Sequence, residues 1–246
     1  MREDTQKDAF KRKKNRKMTQ WLKDIVNFVF PAECHVCGNS LAPHERFLCG
    51  HCLGSLPRTG YHRNLRNPME QRFAGHFPFV AATGHFFYSR ESSLAQLFQD
   101  MKYRGFSKIG EMLGEVTGKE LYIAGFLSDV DVVVPVPMYF LKQAKRGYNQ
   151  VDHIAKGISM ASGIDVLDAL KMTRQRKSQT VLNQEQRMKN AEHLFKVREG
   201  IDLDNKGVLL VDDVCTTGTT LGAAASVLTS AFPSCRLYLL TLGVTY

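Results

Sequence analysis

No stretch of this 246-residue chain approaches the roughly 18–20 consecutive apolar residues that a membrane helix needs, so a spanning helix is not expected. A secretory leader is missing too. "WLKDIVNFVFPAEC" imitates one in outline, but Lys23 and Asp24 break its short apolar region, and export is rejected in favour of a cytoplasmic location. The G-x-x-x-x-G-K-[ST] loop that would mark a P-loop nucleotide site is absent, since the nearest Gly-Lys, Gly118-Lys119, runs into Glu120. No internal repeat is found. No helix-turn-helix or recognition helix follows the cysteines, which argues against a zinc-dependent transcription factor.

What remains is an ordinary globular composition, 43% hydrophobic and 23% charged, long enough for one sizeable core and a small appendage. The net charge of +9 is uneven. Residues 1–17 hold eight Lys/Arg against three Asp/Glu, which leaves +4 for the rest of the chain. Such a tail suits contact with nucleic acid or acidic membrane as well as a solvated, disordered extension. Met18, ahead of "TQWLKDIVNF", reads as an alternative start that would make the tail dispensable. Trp21, Ile25 and Phe28/Val29 fall at helical spacing, so a short docking helix is expected there.

Four of the six cysteines are concentrated in "CHVCGNSLAPHERFLCGHC", as Cys34-x-x-Cys37 and Cys49-x-x-Cys52. Each pair can form a tight knuckle that offers two thiolates to one ion, with Gly38 and Gly50 easing the turns. Four thiolates match tetrahedral Zn²⁺ and leave no open position for catalysis, so the expected metal is structural. Paired disulfides are the rival, but they persist mainly in oxidising compartments. His35, His44 and His51 are expected at the surface. A segment this short lacks a core of its own, so metal binding should fold it.

The chemistry-bearing stretch is "VLLVDDVCTTGTTL", residues 208–221. Val208 to Val211 is too short for a helix and rich in β-branched residues, so it reads as a strand buried on both faces of a parallel sheet. Asp212 and Asp213 then fall at the strand's carboxyl end, where open α/β sheets bind ligands. Thr216, Thr217, Gly218, Thr219 and Thr220 follow, a hydroxyl-rich turn whose N–H groups can curl inward. "LGAAASVLTSAF" continues as a helix, so the turn sits at a helix N-terminus, a favoured anion position. A phosphate is the natural occupant. Facing it directly, the carboxylates would repel it, so they more plausibly accept hydrogen bonds from hydroxyls or hold a magnesium ion through water. Phosphate, diol and metal together describe a phosphorylated sugar.

Elsewhere, "VAATGHFFYS" and "DVVVPVP" read as strands, and "SSLAQLFQDMKYRG", "SKIGEMLGEVTGKELYIAGF" and "NQVDHIAKGISMAS" as helices, the second weakened by its glycines. Strands alternating with helices imply an α/β fold with a mainly parallel sheet flanked by helices. Residues 54–79 have weak periodicity and read as a connector. Cys235 opens an apolar run and is expected to be buried in a strand; Cys215 is expected to pack. Lys102 and Arg104 stand at a helix end, and Lys142, Lys145 and Arg146 precede Gly147 after a strand, cations suited to a pyrophosphate leaving group. Residues 176–195 are long, polar and aperiodic, as a mobile lid would be.

The strand, acidic pair and T-T-G-T-T loop resemble the 5-phosphoribosyl-1-diphosphate (PRPP) signature of type I phosphoribosyltransferases. Together with the cysteine pairs, "KYRG", "VPVP…KRGYNQ", and Lys177, Ser178, Gln179, Arg187, Asn190 and Phe195, the chain resembles the ComF family of competence proteins from about residue 21 onward. The amidotransferase that begins purine synthesis has a similar lid pattern, but its glutaminase half is missing here. The ComF resemblance implies a zinc-ribbon or knuckle module with connector (21–76) and a phosphoribosyltransferase-like domain (77–246), and leaves the basic tail (1–20), expected to be disordered, outside it. It implies that Asp212 and Asp213 hold the ribose hydroxyls, that Thr216 to Thr220 hold the 5′-phosphate, and that Mg²⁺ with Arg146, Gly147 and Lys102 meets the pyrophosphate. Lys177, Gln179 and Arg187 would close the lid.

Two functions follow. One is Mg-dependent transfer of phosphoribosyl from PRPP to an unidentified acceptor, linked to DNA uptake. The other is a non-catalytic factor of the competence machinery that binds single-stranded DNA or competence proteins. No aromatic stacking platform is evident in the sequence for the second.

Overall fold

The computed structural model describes residues 32–138, 147–173 and 194–245. The helix expected around Trp21, the cations Lys142, Lys145 and Arg146, and the lid residues Lys177, Ser178, Gln179, Arg187 and Asn190 lie outside them. The chain divides into two compact units, Met1–Ser55 and Leu56–Tyr246.

In the larger unit the strands are β1 (Ala81–Phe87), β2 (Val132–Pro135), β3 (Leu170–Met172), β4 (Phe195–Val197), β5 (Gly207–Cys215) and β6 (Arg236–Val244). With α1 (Gly50–Gly54) in the smaller unit, the larger holds α2 (Pro68–Phe73), α3 (Ser93–Tyr103), α4 (Lys108–Ile123), α5 (Gln150–Ser162) and α6 (Thr219–Ala231). Four strands form a parallel sheet in the order β1-β6-β5-β2. Parallel strands need both faces covered, which explains the unbroken apolar run: Val208, Leu209, Leu210 and Val211 of β5 are all fully buried. Within the described residues the strands and helices expected from periodicity are present, and all four strands point their carboxyl ends to one edge.

Helix α3 starts at Ser92, whose side chain caps the Ala95 N–H at 3.2 Å. It buries Leu94, Leu97, Phe98 and Met101 on one face. In α4 the glycines are a packing surface rather than a weakness. A Cβ at Gly114 would stand 2.2 Å from the Ile154 carbonyl oxygen, and one at Gly157 of α5 would stand 2.0 Å from that of Glu111. The two backbones therefore meet where no side chain fits, at a cost of roughly 1 kcal/mol per glycine in helix propensity. Lys156 spans the pair to Glu111 at 2.9 Å.

Two features were not legible as elements. The connector contains α2, with Asn67 as its cap and Pro68 at its first position, and it buries Met69 and Phe73 completely. The Asn67 amide also donates to the Ala82 carbonyl at 2.9 Å, fastening the helix to β1. Strands β3 and β4 form a two-stranded antiparallel ribbon with Met172 opposite Phe195, so the last residue of the expected lid, Phe195, is in a strand, and residue 194 within that stretch lies beside residue 173: Thr173 N–H donates to the Leu194 carbonyl at 2.7 Å. Cys235 stands one residue before β6 and is only half-buried, a departure from the buried strand position expected for it.

Candidate functional site

In the smaller unit two turns converge on four sulfurs. Cys34 opens a tight reversal in which Gly38 N–H donates to the Cys34 carbonyl at 2.9 Å, with Gly38 in the left-handed region at φ 73°. The second turn is held by Glu45, whose carboxylate accepts the N–H groups of Ala42 at 2.7 Å and Gly50 at 2.6 Å. Cys49 then caps α1 and Cys52 lies inside it. All four sulfurs lie within 4.8 Å of one another, the one such convergence of donor groups among the described residues.

The Cys37–Cys49 separation is 3.8 Å. Bonds of about 2.3 Å from a tetrahedral centre give a sulfur–sulfur edge of about 3.8 Å, whereas a disulfide needs about 2.05 Å. The cysteines are free thiols, and the set fits a closed tetrathiolate metal site. Burial opposes ionisation of Cys34, but the backbone amides of Cys37, Cys49 and Val36 outweigh it and hold that thiol at about 6. Burial and the neighbouring sulfurs push Cys52 up to about 12. His35 packs on Phe47 instead of joining the cluster.

In the larger unit β5 carries Asp212 and Asp213 to the carboxyl edge of the sheet. Asp212 is 8% exposed. Burial, then the charge of Asp213, pushes its carboxyl up to about 8, against the pull of the Asp213 amide and Lys102. That amide donates to Asp212 Oδ1 at 2.8 Å, and the Val214 amide donates to Asp213 Oδ1 at 2.7 Å. Asp213 is more accessible and pairs with Lys102, Nζ to Oδ2, at 2.6 Å. Lys102 comes from the last turn of α3 and passes over the Phe98 ring. Beside it, the Tyr148 hydroxyl donates to the Met101 carbonyl, which ties the segment from Gly147 to the end of α3. Three separated stretches thus meet at one edge: "MKYRG", "GYNQ" and "DDVCTTGTT".

The turn after β5 leaves Thr216, Thr217 and Thr220 exposed while Gly218 and Thr219 are buried. Gly218 adopts φ 77° as the N-cap of α6, and a Cβ there would sit 2.9 Å from the Phe73 ring. Thr217 and Thr219 share a hydroxyl hydrogen bond of 2.9 Å. Burial raises the Cys215 thiol above its ordinary range, consistent with a packed residue. Of the residues singled out from sequence, Lys102, Gly147, Asp212, Asp213 and Thr216 to Thr220 are gathered in this unit, while Arg146, Lys177, Gln179 and Arg187 lie outside the described residues. Arg72 was missed. Its Nη1 donates to the Thr216 carbonyl at 2.7 Å, and its Nη2 to that of Thr245 at 3.2 Å. The signal that could have found it is Asn67-Pro68, a cap and first-position proline that announce α2.

With a carboxyl that ionises near 4 when unfolded and near 8 when folded, Asp212 takes up a proton on folding between those values. Its contribution to stability is present in acid and is lost as pH rises through about 8. Asp212→Asn is therefore expected to melt close to wild type at pH 4 and several degrees higher at pH 8. A thermal-shift series showing the same difference at both ends would contradict this.

The phosphoribosyl transferase domain family matches residues 131–240. Competence protein F of Haemophilus influenzae is 27% identical over 191 residues, covering 73% of this chain and 77% of that protein. Competence protein ComFC of Streptococcus pneumoniae is 33% identical over 98 residues, 40% of this chain and 41% of that protein. The DNA utilization protein YhgH of Escherichia coli O157:H7 is 26% identical over 203 residues, 79% of this chain and 83% of that protein. The chain is thus similar, over 73–79% of its length, to proteins with competence and DNA-utilization names, and residues 131–240 carry the phosphoribosyl transferase domain match.

Proposed function

We propose that the larger unit binds Mg·PRPP and transfers its phosphoribosyl group to an acceptor. The observation that carries this reading is the succession at the end of β5: two carboxyls at the sheet edge, then a threonine turn that opens the N-terminus of the 13-residue helix α6. Asp212 and Asp213 would accept hydrogen bonds from the ribose hydroxyls, and Thr216 to Thr220 would hold the 5′-phosphate with backbone amides and hydroxyls. Lys102 and Arg146, beside Gly147, would face the pyrophosphate. Lys177, Gln179 and Arg187 would close over the sugar and exclude water. Mg²⁺, bound through the pyrophosphate and the acidic pair, would supply charge neutralisation. The bond from C1 to pyrophosphate breaks as the acceptor's lone pair bonds to C1, and charge stabilisation does most of the work. The smaller unit holds one structural Zn²⁺ on Cys34, Cys37, Cys49 and Cys52, which requires reduced thiols and suits a cytoplasmic setting.

A second reading, binding of single-stranded DNA without turnover, has its own support. At the end of α3, beside Lys102 and Arg104, Tyr103 is 72% exposed and Phe106 is 41% exposed. Aromatic faces among cations are what base stacking uses, and several relatives bear competence or DNA-utilization names.

Calorimetry should record saturable binding of Mg·PRPP that is abolished in Asp212→Asn/Asp213→Asn, and pyrophosphate release with a nucleobase or amine panel. Unchanged affinity in the double variant removes the sugar assignment. Salt-sensitive single-strand binding without any pyrophosphate release favours the second reading. For the cysteine centre, elemental analysis of chelator-free protein should give one zinc per chain, and Cys37→Ser should lower that content. Zinc-free protein with an intact N-terminal unit would contradict the assignment.

A further inference from the structure

The phosphate-binding reading requires backbone N–H groups of the turn to face an anion, and something must turn them that way. Arg72, on α2 in the connector, stands against this turn. Its Nη1 donates to the Thr216 carbonyl at 2.7 Å and, at 3.4 Å, to both the carbonyl and the sulfur of Cys215. Its Nη2 reaches the Thr245 carbonyl at 3.2 Å, just beyond β6. The next residue, Phe73, lies fully buried with its ring against Gly218. Thus α2 supports the turn at two consecutive residues.

The consequence follows from peptide geometry. The peptide bonds are trans, so within each plane the C=O and the N–H point in opposite directions. The Cys215 carbonyl shares its plane with the Thr216 N–H, and the Thr216 carbonyl with the Thr217 N–H. A guanidinium that draws both carbonyls toward itself aims both amides away from it. Among the described residues neither of these amides has an acceptor. A guanidinium suits the task because its fork holds several acceptors in one plane, and its charge strengthens each bond.

We infer that Arg72 is a positioning residue for the phosphate site, holding the amides of Thr216 and Thr217 toward the monoester without touching it. This rests on the phosphoribosyl reading above and extends it. The connector belongs functionally to the site: its short α-helix sets the geometry of a loop 143 residues further along the chain.

The test uses the full chain and two probes, ribose 5-phosphate for the turn and magnesium pyrophosphate for the cations across the site. Wild type is expected to bind both in calorimetry. Arg72→Met should weaken ribose 5-phosphate roughly tenfold, the scale of losing a charge-assisted bond, while magnesium pyrophosphate binds as before. Arg72→Lys, which keeps the charge but loses the fork, should fall between the two. If Arg72→Met does not fold, the lysine variant alone must show the selective loss. Arg72 has no positioning role if the variants bind ribose 5-phosphate like wild type, or lose both ligands in equal proportion. Wild type that binds neither probe overturns the phosphoribosyl reading itself, and the inference with it.

Discussion

A strand enclosed on both faces is comfortable while it carries valine and leucine, but β5 continues straight into a carboxylic acid at 8% exposure. There is little water there to stabilise its charge, and Asp213 beside it adds a second negative group. The carboxyl therefore holds its proton up to about 8, and Lys102 closes on Asp213 from α3. Apolar burial would favour ending the strand with another aliphatic residue. Retaining an acidic pair costs stability in neutral solution, and such costs concentrate at sites that bind or react. The elements around the pair are arranged in consequence: Lys102 comes from α3, the segment from Gly147 is pinned beside it, and the threonine turn stands at the start of α6.

Much of this was legible in the chain. Period and composition gave the four core strands because parallel strands buried on both faces need unbroken aliphatic runs, and Val208 to Val211 can serve little else. The acidic pair and the threonine turn were legible because their order along the chain is their order in space. Partnerships across long sequence separations were not. Nothing around Lys102 says that it meets Asp213, and nothing around Arg72 says that it reaches Thr216. Helix α2 was hidden by its six residues, too few for a periodic pattern, although Asn67-Pro68 marked its start. Strands β3 and β4 were hidden because they have three residues each, and one apolar-Lys-apolar alternation is too short to mark a strand. The glycines of α4 looked like helix weakeners because propensity is local, while the α5 backbone that fills the space beside them is not.

The cysteine unit follows a different logic. Among its described residues the buried apolar side chains are Cys34, Leu48 and Cys52, and its turns are held by backbone hydrogen bonds and by Glu45. Sulfurs at the spacing of a tetrahedral edge replace a hydrophobic centre, which is how short segments gain a fixed structure. Cys34 and Cys52, at about 6 and about 12, do not ionise together without a cation to draw off their protons.

The turn after Asp213 is proposed as an anion cradle made of peptide N–H groups. Amide-resolved nuclear magnetic resonance of the full chain during a ribose 5-phosphate titration tests it most directly. The account predicts saturable shifts that are largest at Thr216, Thr217, Gly218, Thr219 and Thr220. Saturable shifts centred elsewhere, with those five amides unmoved, would contradict it.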